Sequence, residues 1–286
     1  MSNIAVVGAG RVGTTLALAL RGAGHSIELV IDPSEGCAQE VIDRLGAGRA
    51  FLEPVAEISR CETVIVSVPD PLISTVAQNL RPYLVPGQVI CHTSGFHPAE
   101  VLQAAGIPGR YLASMHPMIS IAQRFTETER YRHLCFGLEG GDIALRQAVK
   151  LVESIGGRAV SIPTEGKALY HAGCVMATSM LLAFLDQSRV IFETLGIGSE
   201  ASQEMARSLA ESALANMVSG RLPQALTGPV VRGDVQVVAE HIERLKRMDD
   251  SLARIYRLMG KRILLSLPST AGGDEETRAR IEKILE

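Results

Sequence analysis

Along the chain the pattern of apolar and polar positions changes character once. Up to Pro163 short continuous apolar runs alternate with helical periodicities; beyond it only helical periodicities remain. The runs at 3–7, 27–31, 63–68, 88–92, 111–114, 135–139 and 158–162 predict strands. Periodic segments after Gly13, at 37–45 and at 142–154 predict helices between them. This alternation implies an α/β domain over 1–162 with a doubly wound, mostly parallel sheet, followed by an all-α domain over 163–286. The charge-rich segment 126–133 has no clear apolar period and is expected to be a surface loop.

The all-α part opens with the longest pattern in the chain. Segment 165–195 reads as one uninterrupted helix, about 45 Å long at ~1.5 Å per residue. From Ala172 to Leu185 it is apolar almost all round, which predicts a helix buried on every side. Near its start Lys167 and His171 share one face, and Thr164, Cys174 and Thr178 extend a narrow polar stripe. We expect this stripe to be the catalytic wall. After the stop at 196–198, Met205, Leu209, Ala213 and Met217 mark a second helix opened by Ser199. Val235, Val238, Ile242, Leu245 and Met248 begin a third, continued by Leu252, Ile255, Leu258 and Ile263 and capped by Asp234. A loose charged linker is expected from Ser269.

Composition narrows the ligand class. With 286 residues, 47% of them hydrophobic, the chain can form one large or two ordinary domains. Lys plus Arg number 28 against 31 Asp plus Glu, so no basic field invites nucleic acid or an anionic membrane, and a small molecule is the expected partner. Cys37, Cys61, Cys91, Cys135 and Cys174 are odd in number and scattered, which points to free thiols in the cytoplasm and to no metal site. The N-terminus lacks a signal-peptide pattern, and 172–185 is too short to span a bilayer.

The first run leads straight into Gly8-Ala9-Gly10-Arg11-Val12-Gly13 and then a helical pattern, which is the dinucleotide fingerprint. Gly8 permits the turn, Gly10 lets a pyrophosphate approach the backbone, and Gly13 lets the helix pack closely. The second run ends in Asp32, about 20 residues on, where a carboxylate binds ribose hydroxyls and repels a 2′-phosphate. That favours NAD; Arg11 and Arg49, as possible phosphate partners, keep NADP open. Ser67, Val68 and Pro69 follow a strand and should border the dinucleotide. Two further strands end in His92-Thr93-Ser94-Gly95 and Met115-His116-Pro117-Met118. Ser94 and Gly95 can hold a carboxylate or carbonyl, and His92 and His116 can bond a substrate oxygen. Arg232, in the stiff turn 226–234, is a candidate grip for an anion.

These motifs together, with Val68-Pro69-Asp70 and the 227–234 turn, resemble a family of Rossmann-like NADP oxidoreductases over nearly the whole chain. The family is similar to deazaflavin-coenzyme-dependent NADP reductases and to pyrroline-5-carboxylate reductase. The resemblance implies a helical domain like that of 6-phosphogluconate dehydrogenase, which commonly pairs with a second subunit, hence a homodimer. In more distant relatives, the 3-hydroxyacid dehydrogenases and ketopantoate reductases, a catalytic lysine precedes an asparagine by four residues. Lys167 and His171 fall on that spacing, with histidine replacing the amide. The expected function is hydride transfer between NAD(P) and a small carbonyl or hydroxy compound bearing a carboxylate. Lys167, His171 and His116 would act on its oxygen. The rival is a non-catalytic dinucleotide sensor, which would need the fingerprint but neither the lysine nor the histidines.

Overall fold

The computed structural model describes the chain except residues 126, 219–221 and 269–272. It divides into two compact units, Met1–Leu181 and Leu182–Glu286. In the first, the strands are β1 (Asn3–Val7), β2 (Ser26–Ile31), β3 (Arg49–Phe51), β4 (Thr63–Val66), β5 (Val89–His92), β6 (Leu112–Pro117), β7 (Cys135–Gly140) and β8 (Arg158–Ser161). The helices are α1 (Arg11–Gly22), α2 (Cys37–Leu45), α3 (Ile73–Leu80), α4 (Asp142–Ser154) and α5 (Lys167–Val175). They form one sheet in the order β3-β2-β1-β4-β5-β6-β7-β8, parallel except for β6 against β7. Successive side chains of β1 enter opposite cores: Ile4 and Val6 join Leu16, Leu20 and Phe136 on one face, Ala5 and Val7 join Ile73, Leu80 and Leu102 on the other. Burial on both faces is why the strands read as continuous apolar runs. The strand order reverses between β1 and β4, so the crevice opens beyond their carboxyl ends, at Gly8 and Ser67.

Several expectations need correction. The short strand β3 was not foreseen. Strand β6 runs on through His116 and Pro117, because Pro117 lies opposite Phe136 in the antiparallel ladder to β7. The charged segment before β7 is not all surface: Tyr131 is fully buried, its ring 5.7 Å from that of Phe136. Residue 126 lies outside the described residues.

The long helix differs most. It contains a π turn at Met176–Met180 between α5 and α6 (Leu181–Thr194). Nor is it buried on every side, since Leu169 is 80% exposed and Met176, Met180, Leu182 and Phe184 are exposed too. Counted from Thr164 to Thr194 it is long and apolar enough to cross a membrane, which the shorter stretch 172–185 did not suggest. The buried residue of α5 is Lys167, at 2% exposure. The first turns of this helix are bonded into the sheet, Lys167 to Ser114 and Thr164 to Glu139, and the compact unit that holds them runs to Leu181.

The second unit holds α7 (Ser199–Val218), α8 (Leu222–Ala225), α9 (Pro229–Arg232), α10 (Val235–Met248), α11 (Asp250–Ser266) and α12 (Glu275–Leu285). Its core gathers Val230, Val238, Ile242, Leu264, Ile281 and Leu285. The third helix of the sequence reading is two, broken at Asp249, whose extended backbone lets its carboxylate accept the Ser251 amide and start α11. Asp234 precedes α10 without capping it, its carboxylate being taken by Arg232 at 2.7 Å. The linker expected from Ser269 lies partly outside the described residues.

Candidate functional site

The glycine turn after β1 is built for two different reasons. Gly8 has φ +101°, and a Cβ there would overlap the carbonyl of Ser67; a Cβ at Gly13 would overlap the carbonyl of Gly8. Both glycines are demanded by the protein's own packing. Gly10 is not: among the described residues no atom lies within 4 Å of the place its Cβ would occupy. Its bare backbone faces open crevice at the start of α1, as the approach of a pyrophosphate requires. Asp32 accepts the Ala9 amide at 2.7 Å and the Ser34 amide at 2.8 Å, one on each oxygen. Each oxygen keeps a lone pair for a ribose hydroxyl. Arg49 is taken by Glu57 at 2.9 Å.

Two cavities meet over this turn. One of about 830 Å³ is bordered by Gly8, Asp32, Leu52, Val76 and Tyr83; the other, about 420 Å³, by Arg11, Val12, Ser94, Gly95, His116 and His171. Both are lined by Gly10, Ser67, Val68 and Pro69. They are lobes of one groove along the carboxyl edge of the sheet, and its residues suit a dinucleotide with adenosine at Asp32 and nicotinamide at the histidines.

Within the smaller lobe the turn after β5 is braced from behind. Ser94 Oγ accepts the amides of Phe96 and His97, both at 3.1 Å, which leaves its own proton free to donate. His92, expected to touch substrate, is fully buried instead. Its Nδ1 accepts the Ser94 amide and its Nε2 donates to the Pro98 carbonyl, so both nitrogens are spent on the turn. Lys167 donates to Ser114 Oγ at 2.7 Å and to the Ser94 carbonyl at 3.3 Å, and Ser114 donates to that same carbonyl at 3.0 Å. Its ammonium thus lies behind the turn rather than in the lobe. Burial lowers the lysine's pKa, opposed by the carboxylates of Glu139 and Asp70. Glu139, itself buried, accepts the Ala99 amide and the Thr164 hydroxyl. Thr178 turns its hydroxyl back onto the Cys174 carbonyl.

His116 and His171 face each other across Gly95, their ring centroids 6.3 Å apart. A Cβ at Gly95 would come within 2.9 Å of both imidazoles, so this glycine makes their room. Burial, then the charge of Lys167, holds His116 down to about 4; burial and Lys167 do the same for His92. Both rings are neutral at pH 7. Sequence reasoning therefore brought together Ser94, Gly95, His116 and His171 with Arg11, Val12, Ser67, Val68 and Pro69. Arg232 belongs to the second unit, paired with Asp234. Missed were Ser114, Glu139 and Tyr170; of these only Glu139, a charge inside an apolar strand, carried a visible signal.

A pH dependence follows. The folded pKa of each histidine lies below its ordinary 6.5, so between about 6.5 and 4 the unfolded chain binds more protons and stability falls with falling pH. Each ring contributes on the order of 3 kcal/mol of loss at the acid end. Urea midpoints measured from pH 7 to pH 4 should drop across that window, and a flat profile would refute the neutral, buried state.

The Rossmann-like domain family model matches residues 2–117. The chain carries a Rossmann-like domain. A second family model, described as "Domain of unknown function (DUF2520)", matches residues 134–263. A glycerol-3-phosphate dehydrogenase [NAD(P)+] of Geobacter sp. (strain M21) is 25% identical over 258 residues, 82% of this chain and 73% of that protein. The same-named protein of Desulfitobacterium hafniense (strain Y51) is 31% identical over 104 residues, which is 33% of this chain and only 30% of its own length. Among solved structures, protein TM1727 from Thermotoga maritima aligns with a TM-score of 0.72 at 29% identity, covering 91% of this chain and 96% of that one. Pyrroline carboxylate reductase of Plasmodium falciparum, solved with NADP bound, aligns with a TM-score of 0.59 at 13% identity, over 92% and 98% of the two chains. The resemblance drawn from the motifs thus holds at the level of domain and fold.

Proposed function

We propose that the chain is a cytoplasmic NAD(P)-dependent oxidoreductase of a small carbonyl or hydroxy compound bearing a carboxylate. The observation that carries this reading is the two-lobed groove, with a ribose-binding carboxylate at one end, two imidazoles at the other and an open-backed glycine turn between. The names of the curated relatives support it. Bound in the groove, a nicotinamide cofactor supplies or takes up hydride. His116, neutral at pH 7, hydrogen-bonds the substrate oxygen, and His171 on the facing wall handles the accompanying proton. The Ser94 hydroxyl and Gly95 amide hold the acid group. Lys167 works from behind the turn: it fixes the Ser94 carbonyl, and its charge favours the negative charge that develops on the oxygen. Asp32 favours NAD, with NADP as the alternative. Exposed apolar side chains on α7, among them Leu209 and Leu214, support a homodimer formed through the helical unit; the net charge of -3 is the reason no membrane or nucleic acid is proposed as a partner.

The test has two stages. Titration with NADH and NADPH should show binding that Gly10→Val weakens more than tenfold, because its side chain would fill the open space at the turn. Turnover is then read at 340 nm on a panel of 2-oxo acids, imines and aldehydes. Failure to bind either dinucleotide would sink the proposal, and binding without turnover would revive the sensor.

A further inference from the structure

Tyr170 lies on α5 one turn after Lys167, and no step of the proposed reaction uses it. Its hydroxyl lies 2.7 Å from Nδ1 of His116, and the two rings stand edge to face at 90°, with centroids 5.6 Å apart. The phenol occupies space kept for it by the sheet. In the antiparallel ladder His116 is opposite Gly137, and a Cβ at Gly137 would overlap the Tyr170 hydroxyl. Gly137 has no left-handed backbone that would demand glycine. Its missing side chain is therefore explained by the phenol above it.

From this juxtaposition we infer that Tyr170 is a positioning residue, which fixes His116 as the neutral Nε2–H tautomer with that N–H aimed into the lobe beside Gly95. Burial, reinforced by the neighbouring Cys174, raises the phenol's pKa, while burial lowers that of the imidazole; the pair therefore shares a phenol proton and one ring proton. A phenol O–H is a strong donor and an unprotonated ring nitrogen a strong acceptor, whereas the Cys174 thiol is weak in both roles. The O–H therefore goes to Nδ1, and the ring proton stays on Nε2. The Cε1–Nε2 edge of the ring is what approaches Gly95, with Nε2 2.9 Å from where a Cβ would stand. A ring so held offers the lobe a hydrogen-bond donor at pH 7 without being charged. The substrate it fits is one that presents an acceptor oxygen, a carbonyl or the alkoxide that hydride addition makes of it. This role rests on the proposed reaction, but the tautomer itself does not.

Two-bond proton–nitrogen NMR correlations of uniformly 15N-labelled protein at pH 7 report the tautomer directly, with His116 assigned by the signal lost in His116→Gln. The native protein should show the Nε2–H pattern, and Tyr170→Phe should shift it toward a mixture. In the same variant kcat should fall about tenfold, with dinucleotide affinity unchanged. An Nδ1–H pattern in the native protein, or an unaltered pattern in Tyr170→Phe, overturns the inference. If the tautomer behaves as expected but His116→Gln keeps full turnover, the assigned chemistry of His116 fails while the positioning by Tyr170 stands.

Discussion

Replacing His116 with glutamine should lower kcat by about 10²-fold, the usual worth of a preorganised hydrogen-bond donor to a developing oxyanion, and leave the affinity for either dinucleotide within twofold. The expectation rests on placement. His116 lines the lobe with His171, Ser94 and Gly95, whereas the residues proposed to cradle the dinucleotide sit at the glycine turn and at Asp32. Glutamine can reach into the same space, but its flexible amide cannot be fixed by Tyr170 with a donor aimed into the lobe as the ring is. With the ring's pKa held at about 4, the native rate should not lose activity through His116 ionisation above about pH 5. An acid limb near pH 6.5 would assign that titration to another group. Full turnover in the variant, with an active substrate in hand, would remove His116 from the chemistry.

Much of this was legible in the sequence, and the reasons for success and failure differ. Strand β1, its glycine turn and Asp32 form a local device, in which each residue's job is set by neighbours a few positions away or one strand over. The pattern 3–13 therefore predicted the turn; the bond from the Ala9 amide that holds Asp32 beside it is seen only in the structure. The lobe with the histidines depends instead on pairing between distant strands. Nothing near His116 announces that β6 continues against β7, and nothing near Tyr170 announces that Gly137 will lie beneath its hydroxyl.

The long helix misled for a related reason. Periodicity tells how apolar each face is, and burial depends on what packs against that face. Leu169 is exposed while Lys167, two positions earlier, is enclosed by the turn after β5 and by β6. His92 looked like a ligand because it ends a strand on the correct edge. Its ring was needed to tie down the turn that presents Ser94.

The second large effect is expected at Lys167. Lys167→Met keeps most of the buried stem but removes the ammonium, leaving the Ser114 hydroxyl and the Ser94 carbonyl without their charged donor and Glu139 without a neighbouring cation. The loss of those bonds should cost about 1–3 kcal/mol of stability at pH 7. Because the Ser94–Gly95 turn is then held by fewer bonds and the oxygen loses a nearby positive charge, kcat should fall about 10²-fold. A diagnostic sign separates this from simple damage. Lys167 depresses both His92 and His116, so without it their pKa values should rise toward 6.5 and narrow the acid window in which folding loses stability. The variant should thus be less stable than the native protein at pH 7 and yet lose less between pH 6.5 and 4. Urea titrations at several pH values read both quantities. Parallel native and variant profiles would show that the lysine's charge is not felt by the histidines, and undiminished turnover would leave its ammonium a structural brace alone.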